Sequence, residues 1–200
     1  MIKNNDNKNT AVTNVAYGKE SSLLFFSGSN SSNSINQRVV EALARESGKK
    51  NQSIIDLRNY PMPLYSDAEE NKGIPKKAVE LLEIIEKHDT LVIAVPEYNS
   101  AMPAFFKNIL DWISRARQNY RVLKGKQVIL LSASPGNGGY SAVLNTQIVL
   151  IAIGADILGS AVLTDFYNRT TLDNDNLIIK DTAFISQFNN MLMQLKKLKV

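Results

Sequence analysis

Ten residues, Ser27 to Asn36, read SGSNSSNSIN: five serines, three asparagines, one glycine and one isoleucine, set between an apolar block and an amphipathic segment. Hydroxyls and backbone N–H groups at the start of a helix can receive an anion such as phosphate, because they donate hydrogen bonds and sit at the positive end of the helix dipole. The single glycine excludes a G-x-G-x-x-G loop, and no Gly-Lys-Ser/Thr follows to hold a triphosphate with magnesium. A polar turn with a Ser or Asn helix cap accounts for two or three of these residues but not for eight.

Two further stretches carry chemistry. VPEYNSAMPAFFKNILDW, Val95 to Trp112, gathers Pro96, Glu97, Tyr98 and Asn99 ahead of a proline-started helix. Its backbone amides could hydrogen-bond ring heteroatoms of a planar ligand and Tyr98 could cover one edge, while a capped turn explains the same residues equally well. The Glu97 side chain reads as structural rather than as a general base. SASPGNGGY, Ser132 to Tyr140, places glycines at 136, 138 and 139. Glycine allows positive φ and close backbone approach, so this loop could wrap a flat ring or admit a second substrate; a tight turn would need one glycine.

Composition narrows the rest. The chain has 200 residues, 44% hydrophobic and 21% charged, which suits one soluble domain. With no cysteine, disulfides, iron–sulfur clusters and thiolate catalysis are excluded, and redox chemistry must come from a cofactor. His88 is the one histidine, best read as a surface or capping residue near a helix end, so no histidine-rich metal site is expected. The formal charge of +4 is spread along the chain; Lys196, Lys197 and Lys199 suit a helix C-terminus, and neither nucleic acid nor membrane is expected as a partner. The longest apolar run, Ile148 to Ala155, is too short to span a bilayer, and the start of the chain lacks a signal-peptide block, so a cytoplasmic protein is expected.

These loops need a scaffold, and the remaining pattern supplies one. Buried strands are expected at Leu23 to Phe26, Ser53 to Leu57, Thr90 to Val95, Gln127 to Leu131 and Ile157 to Leu163. Helices are expected from Ile35, from Pro75, from Pro103, over Tyr140 to Ile153 and over Ala183 to Leu198, with Asp111 and Arg115 paired within the third. Strands apolar on both faces, each followed by a helix, imply an α/β domain: a doubly wound five-stranded parallel sheet, order 2-1-3-4-5, in three layers. Residues 1–21 read as a flexible tail and 22–200 as the domain. Ligands of such a sheet bind beyond the carboxyl ends of the strands where the winding reverses, which directs attention to the three loops above.

All three loops resemble the NADPH-dependent FMN reductase family of flavodoxin-like proteins, over about Leu23 to Ala155. The family's pattern of S-G-S…S-x-N, P-E-Y-N…P-x-x-x-K-N-x-x-D-W and S-A-S-P-G…G-G is met by Ser27, Gly28, Ser29, Ser34 and Asn36; by Pro96 to Asn99, Pro103, Lys107, Asn108, Asp111 and Trp112; and by Ser132 to Gly136, Gly138 and Gly139. The resemblance implies FMN as cofactor and NADPH or NADH as co-substrate. Its phosphate would sit with Ser27, Ser29, Ser31, Ser34, Ile35 and Asn36, and its isoalloxazine against Pro96, Glu97, Tyr98 and Asn99. Ser132, Ser134, Pro135, Gly136 and Gly139 would lie nearby. Ser31 stands where the family often has arginine, and Ala101 where it has serine; losing a guanidinium removes a charge-assisted bidentate contact to phosphate.

What the resemblance implies is an oxidoreductase that passes hydride through FMN N5 to a quinone, flavin, azo or oxyanion acceptor, with no catalytic side chain of its own. It also implies a homodimer or homotetramer, with Lys107, Trp112 and Arg115 at a candidate subunit contact, though a core tryptophan fits as well. A flavodoxin-type one-electron carrier and a non-catalytic binding module of the same fold are the alternatives.

Overall fold

A computed structural model describes residues 21–195. The tail expected over residues 1–21 falls almost entirely outside the described residues, as does the lysine cluster at 196–199.

Five parallel strands form the sheet: β1 (Leu23–Ser27), β2 (Gln52–Ile54), β3 (Thr90–Ala94), β4 (Gln127–Ala133) and β5 (Asp156–Leu163), in the order β2-β1-β3-β4-β5. The strands β1, β3 and β4 are buried throughout, which is why they read as continuous apolar runs instead of alternating ones. Helices α3 (Lys76–Glu86), α4 (Ala104–Arg115) and α5 (Tyr140–Ala152) cover one face. Helices α1 (Ile35–Ser47) and α7 (Thr182–Met193) cover the other. Short helices α2 (Asp67–Glu70) and α6 (Phe166–Arg169) lie in connections.

Register brings the three loops to one edge. Ser27 pairs with Ala94, and Ala94 with Leu131, so β1, β3 and β4 end side by side. The ladder then extends one bond into each loop: Gly28 N donates to Ala94 O, Val95 N to Leu131 O and Ser134 N to Leu163 O, at 2.8–2.9 Å. Gly28 lies under Phe106, whose Cγ would stand 2.8 Å from an added Cβ, so glycine is required for α4 to pack there.

Several boundaries differ from the sequence reading. The second strand ends at Ile54, not Leu57, because Asp56 accepts from the Arg58 amide at 2.9 Å and opens a 3-10 turn over Leu57–Asn59. Ser132 and Ala133, expected in a loop, are the last residues of β4. The final helix stops at Met193, short of Leu198. An antiparallel hairpin, β6 (Thr170–Asp173) with β7 (Asn176–Ile179), was not expected; Asn174 and Asp175 both take positive φ in its two-residue turn. Asp111 does not pair with Arg115. It binds Lys107 at 2.7 Å, while Arg115 faces Glu70 at 3.9 Å and stacks over the Tyr65 ring. Trp112 is a core residue, fully buried, with Nε1 donating to Pro63 O at 2.7 Å. His88 caps α3 as expected, contacting Ile84 O and Ser53 Oγ at 2.8 and 3.0 Å.

Candidate functional site

A cleft of about 220 Å³ opens at the carboxyl edge of the sheet, walled by parts of all three loops. Its walls are Ser29, Ser31, Asn33, Ser34, Ile35 and Asn36 from the first loop, Pro96, Glu97 and Tyr98 from the second, and Ala133, Ser134 and Pro135 from the third. No cationic side chain is among them.

The first loop is organised by its serines. Ser34 caps α1 by accepting from the Gln37 amide at 3.2 Å. Ser29 Oγ accepts from Ser31 N at 3.1 Å and Ser31 Oγ from Asn33 N at 3.3 Å. Each hydroxyl that accepts from the backbone keeps its own proton to donate, so the loop presents O–H donors in addition to amides. Among the described hydrogen bonds none uses the N–H of Ile35 or Asn36, the first two residues of α1. The N-terminus of this 13-residue helix is therefore open to an anion.

Asn36 has a structural duty besides its place in the cleft wall. Its side chain is 2% exposed and clamps Ala133, donating to Ala133 O at 3.0 Å and accepting from Ala133 N at 2.8 Å. That pair satisfies both backbone groups of the last β4 residue and ties the first loop to the third.

In the second loop Tyr98 and Ala101 exchange both backbone hydrogen bonds, at 3.0 and 3.1 Å, around Asn99 and Ser100 with φ of 49° and 61°. This is a two-residue turn with both central residues left-handed, and it leaves Tyr98 half exposed at the cleft. The Tyr98 amide, expected to serve a ligand, is engaged within the turn; the amides of Asn99 and Ser100 have no partner among the described hydrogen bonds. Asn145 of α5 donates to Ser100 O at 3.1 Å and steadies the turn.

Glu97 links the second loop to the third. Its Oε2 accepts from Gly139 N and from Ala142 N, both at 3.0 Å. These are the cap and third-residue amides of α5, whose own cap is a glycine without a side chain. Gly139 has φ 112°, and a Cβ there would stand 2.7 Å from Ser132 Oγ and 2.9 Å from Val162. No residue with a capping side chain fits, so the cap comes from 42 positions earlier in the chain. Gly138 lies against the same carboxylate, 3.2 Å from Glu97 Oε1 to an ideal Cβ. Gly136 faces open space. Two of the three glycines thus serve packing, and one leaves room beside the cleft.

Five expected site residues stand back from the walls. Ser132 is fully buried and donates to Val95 O at 2.7 Å, binding the roots of the second and third loops. Ser27 is 1% exposed with its hydroxyl unpartnered, the one such atom in the first loop. Gly139 is enclosed as described; Asn99 occupies the outer turn, and Gly136 the outer side of its loop. Asn33 and Ala133 line the cleft without having been expected to do so. Asn33 carried a signal only as one of the polar residues of the Ser27–Asn36 run; Ala133 carried none, because it contributes through its backbone.

Residues 21–169 match the family model described as NADPH-dependent FMN reductase. The chain is 30% identical over 142 residues to "Uncharacterized protein MG342 homolog" of Mycoplasma pneumoniae, covering 70% of this chain and 84% of that protein. It is 33% identical over 99 residues to a quinone reductase of Escherichia coli, covering 48% of this chain and 52% of that protein, so the match spans about half of that relative. In three dimensions it resembles FerB, a flavoenzyme NAD(P)H:(acceptor) oxidoreductase of Paracoccus denitrificans, with TM-score 0.72 and 20% identity over 86% of this chain and 93% of that one. The chain belongs to the NADPH-dependent FMN reductase family.

Proposed function

We propose that this member of the FMN reductase family is an NAD(P)H-dependent FMN oxidoreductase that reduces small acceptors of the quinone or azo type. The observation that carries the reading is the cleft itself: three loops from separate parts of the chain converge on one edge, and one of them ends in the helix amides of Ile35 and Asn36, which the Ser34 cap leaves open.

The residues fit FMN. Its phosphate finds neutral donors at Ser29, Ser31 and Ser34, the open amides of Ile35 and Asn36, and the positive end of α1. The unpartnered hydroxyl of Ser27 lies at the root of the same loop, a buried donor that a bound anion would satisfy directly or through water. Tyr98, Pro96 and Pro135 offer flat, partly apolar walls to a ring. Bound FMN supplies hydride acceptance and donation, so the protein's tasks are to hold, orient and partly desolvate. The amides of Asn99 and Ser100 are donors for charge on a ring, and the turn that carries them is held from both sides.

Self-association is part of the proposal. Helix α5 exposes Tyr140, Leu144, Ile148 and Ile151 at 59%, 62%, 69% and 49%, and no charged residue occurs from Ser132 to Ala155. An apolar stripe of this kind, next to the cleft, supports a homodimer or higher oligomer packed through α5.

The test is spectroscopic. Purified protein should be yellow or become so with added FMN, bleach with NADPH or NADH without oxygen, and recover colour with a quinone. Flavin that neither nicotinamide reduces would defeat the enzyme reading and leave the carrier.

A further inference from the structure

The cleft has two ends built from different interactions. The first loop is held by its own serines and by Asn36 on Ala133, while the second and third are joined by Glu97 on the α5 amides, Asn145 on Ser100 O and Ser132 on Val95 O. We infer that Glu97 is a positioning residue for the ring end of the cleft: by capping α5 from the second loop, it fixes the Asn99–Ser100 turn and the glycine loop as one body. The inference rests on the FMN reading for its ligand, not for its geometry.

One carboxylate oxygen fills both roles of a capping box, satisfying the amides at the cap and at the third helical residue. Ion-assisted hydrogen bonds of this kind are stronger than neutral ones, and the charge sits at the positive end of the 13-residue helix. Glycine at 139 forbids a local substitute, so no neighbouring side chain can take over when Glu97 is lost. Through Asn145 the same helix holds Ser100 O, so release of the α5 N-terminus also frees the turn carrying the Asn99 and Ser100 amides. Glu97 then acts on the ring through the backbone of both loops. The phosphate end keeps its own cap, Ser34 on the Gln37 amide, and its tie to Ala133 through Asn36, neither of which uses Glu97.

Riboflavin lacks the phosphate and therefore isolates the ring end. In Glu97→Gln, which keeps an acceptor but loses the charge, and in Glu97→Ala, the affinities for FMN and for riboflavin should fall by the same factor. About tenfold is expected for Ala and less for Gln, with Ser34→Ala weakening FMN alone. Amide hydrogen exchange without any flavin should accelerate about tenfold at Gly139 and Ala142 in both Glu97 variants, and extend to residues 98–101. Loss of FMN affinity with riboflavin unchanged, or unaltered exchange at Gly139 and Ala142, overturns the assignment. If the wild-type chain binds neither flavin, the FMN reading fails while the exchange measurement still decides whether Glu97 holds the two loops. Glu97→Gln retains the side-chain volume, so a folding failure of Glu97→Ala leaves the test intact.

Discussion

Two helices begin at the same edge of the sheet, and their N-termini are finished differently. At α1 the cap is local, Ser34, and the amides of Ile35 and Asn36 stay open. At α5 the cap is an anion already in place, Glu97. A helix N-terminus whose positive end already faces a carboxylate has little left for a phosphate, so of the two it is α1 that stays receptive to an anion. The difference teaches that a helix start is receptive according to what occupies it, not by its position alone.

The largest effect tests the closed end. Gly139→Ala meets Ser132 and Val162 and must hold φ 112°; combining overpacking with a backbone unfavourable for any Cβ, about 3–5 kcal/mol of stability should be lost in urea unfolding. Asn36→Ala breaks the tie between the two ends. It leaves the buried N–H and C=O of Ala133 unpaired, and a loss of about 2–4 kcal/mol is expected. Ser31→Arg sharpens the contrast by adding a cation to the open end: FMN titration should show about tenfold tighter binding, with riboflavin unchanged. Ser34→Ala should cost about 1 kcal/mol of stability.

Helix α7 provides the reference for pH. Asp181 caps it at Phe184 N, and this bond, helped by Arg169, holds the carboxyl below its usual value. A depressed carboxyl stabilises the fold above its unfolded pKa and ceases to do so as pH falls through the folded one. Unfolding followed from pH 6 to 2 should therefore lose about 1 kcal/mol from about pH 4 downward, and Asp181→Asn should flatten that part of the curve. The smallest effect is a gain: Ser100→Gly removes a side chain at φ 61° and should stabilise the turn by about 0.5–1 kcal/mol.

The sheet order and its helices were legible because buried parallel strands and amphipathic helices leave strong periodic signals. The three loops were legible because polar and glycine-rich runs stand out against apolar neighbours. Pairings across the fold were not. Nothing local marks Glu97 as the cap of a helix 42 residues on, although a helix starting after two glycines with no capping residue is a hint that its cap comes from elsewhere. Asn36 reads only as one of the polar residues of the first loop, and its clamp on Ala133 depends on a contact 97 residues away. The β6–β7 hairpin escaped because its four-residue strands are short, although Asn174 and Asp175 are residues that tolerate left-handed backbone.

The ladder bonds that run from Gly28, Val95 and Ser134 into neighbouring strands act like the clamped roots of three cantilevers. Beyond those roots the loops are held by bonds outside the strand ladder: Ser29 Oγ on Ser31 N, the Tyr98–Ala101 pair around Asn99, and Asp165 N on Gly136 O. Substitutions in those outer stretches can reshape the cleft without breaking a bond between strands, as one at the roots would.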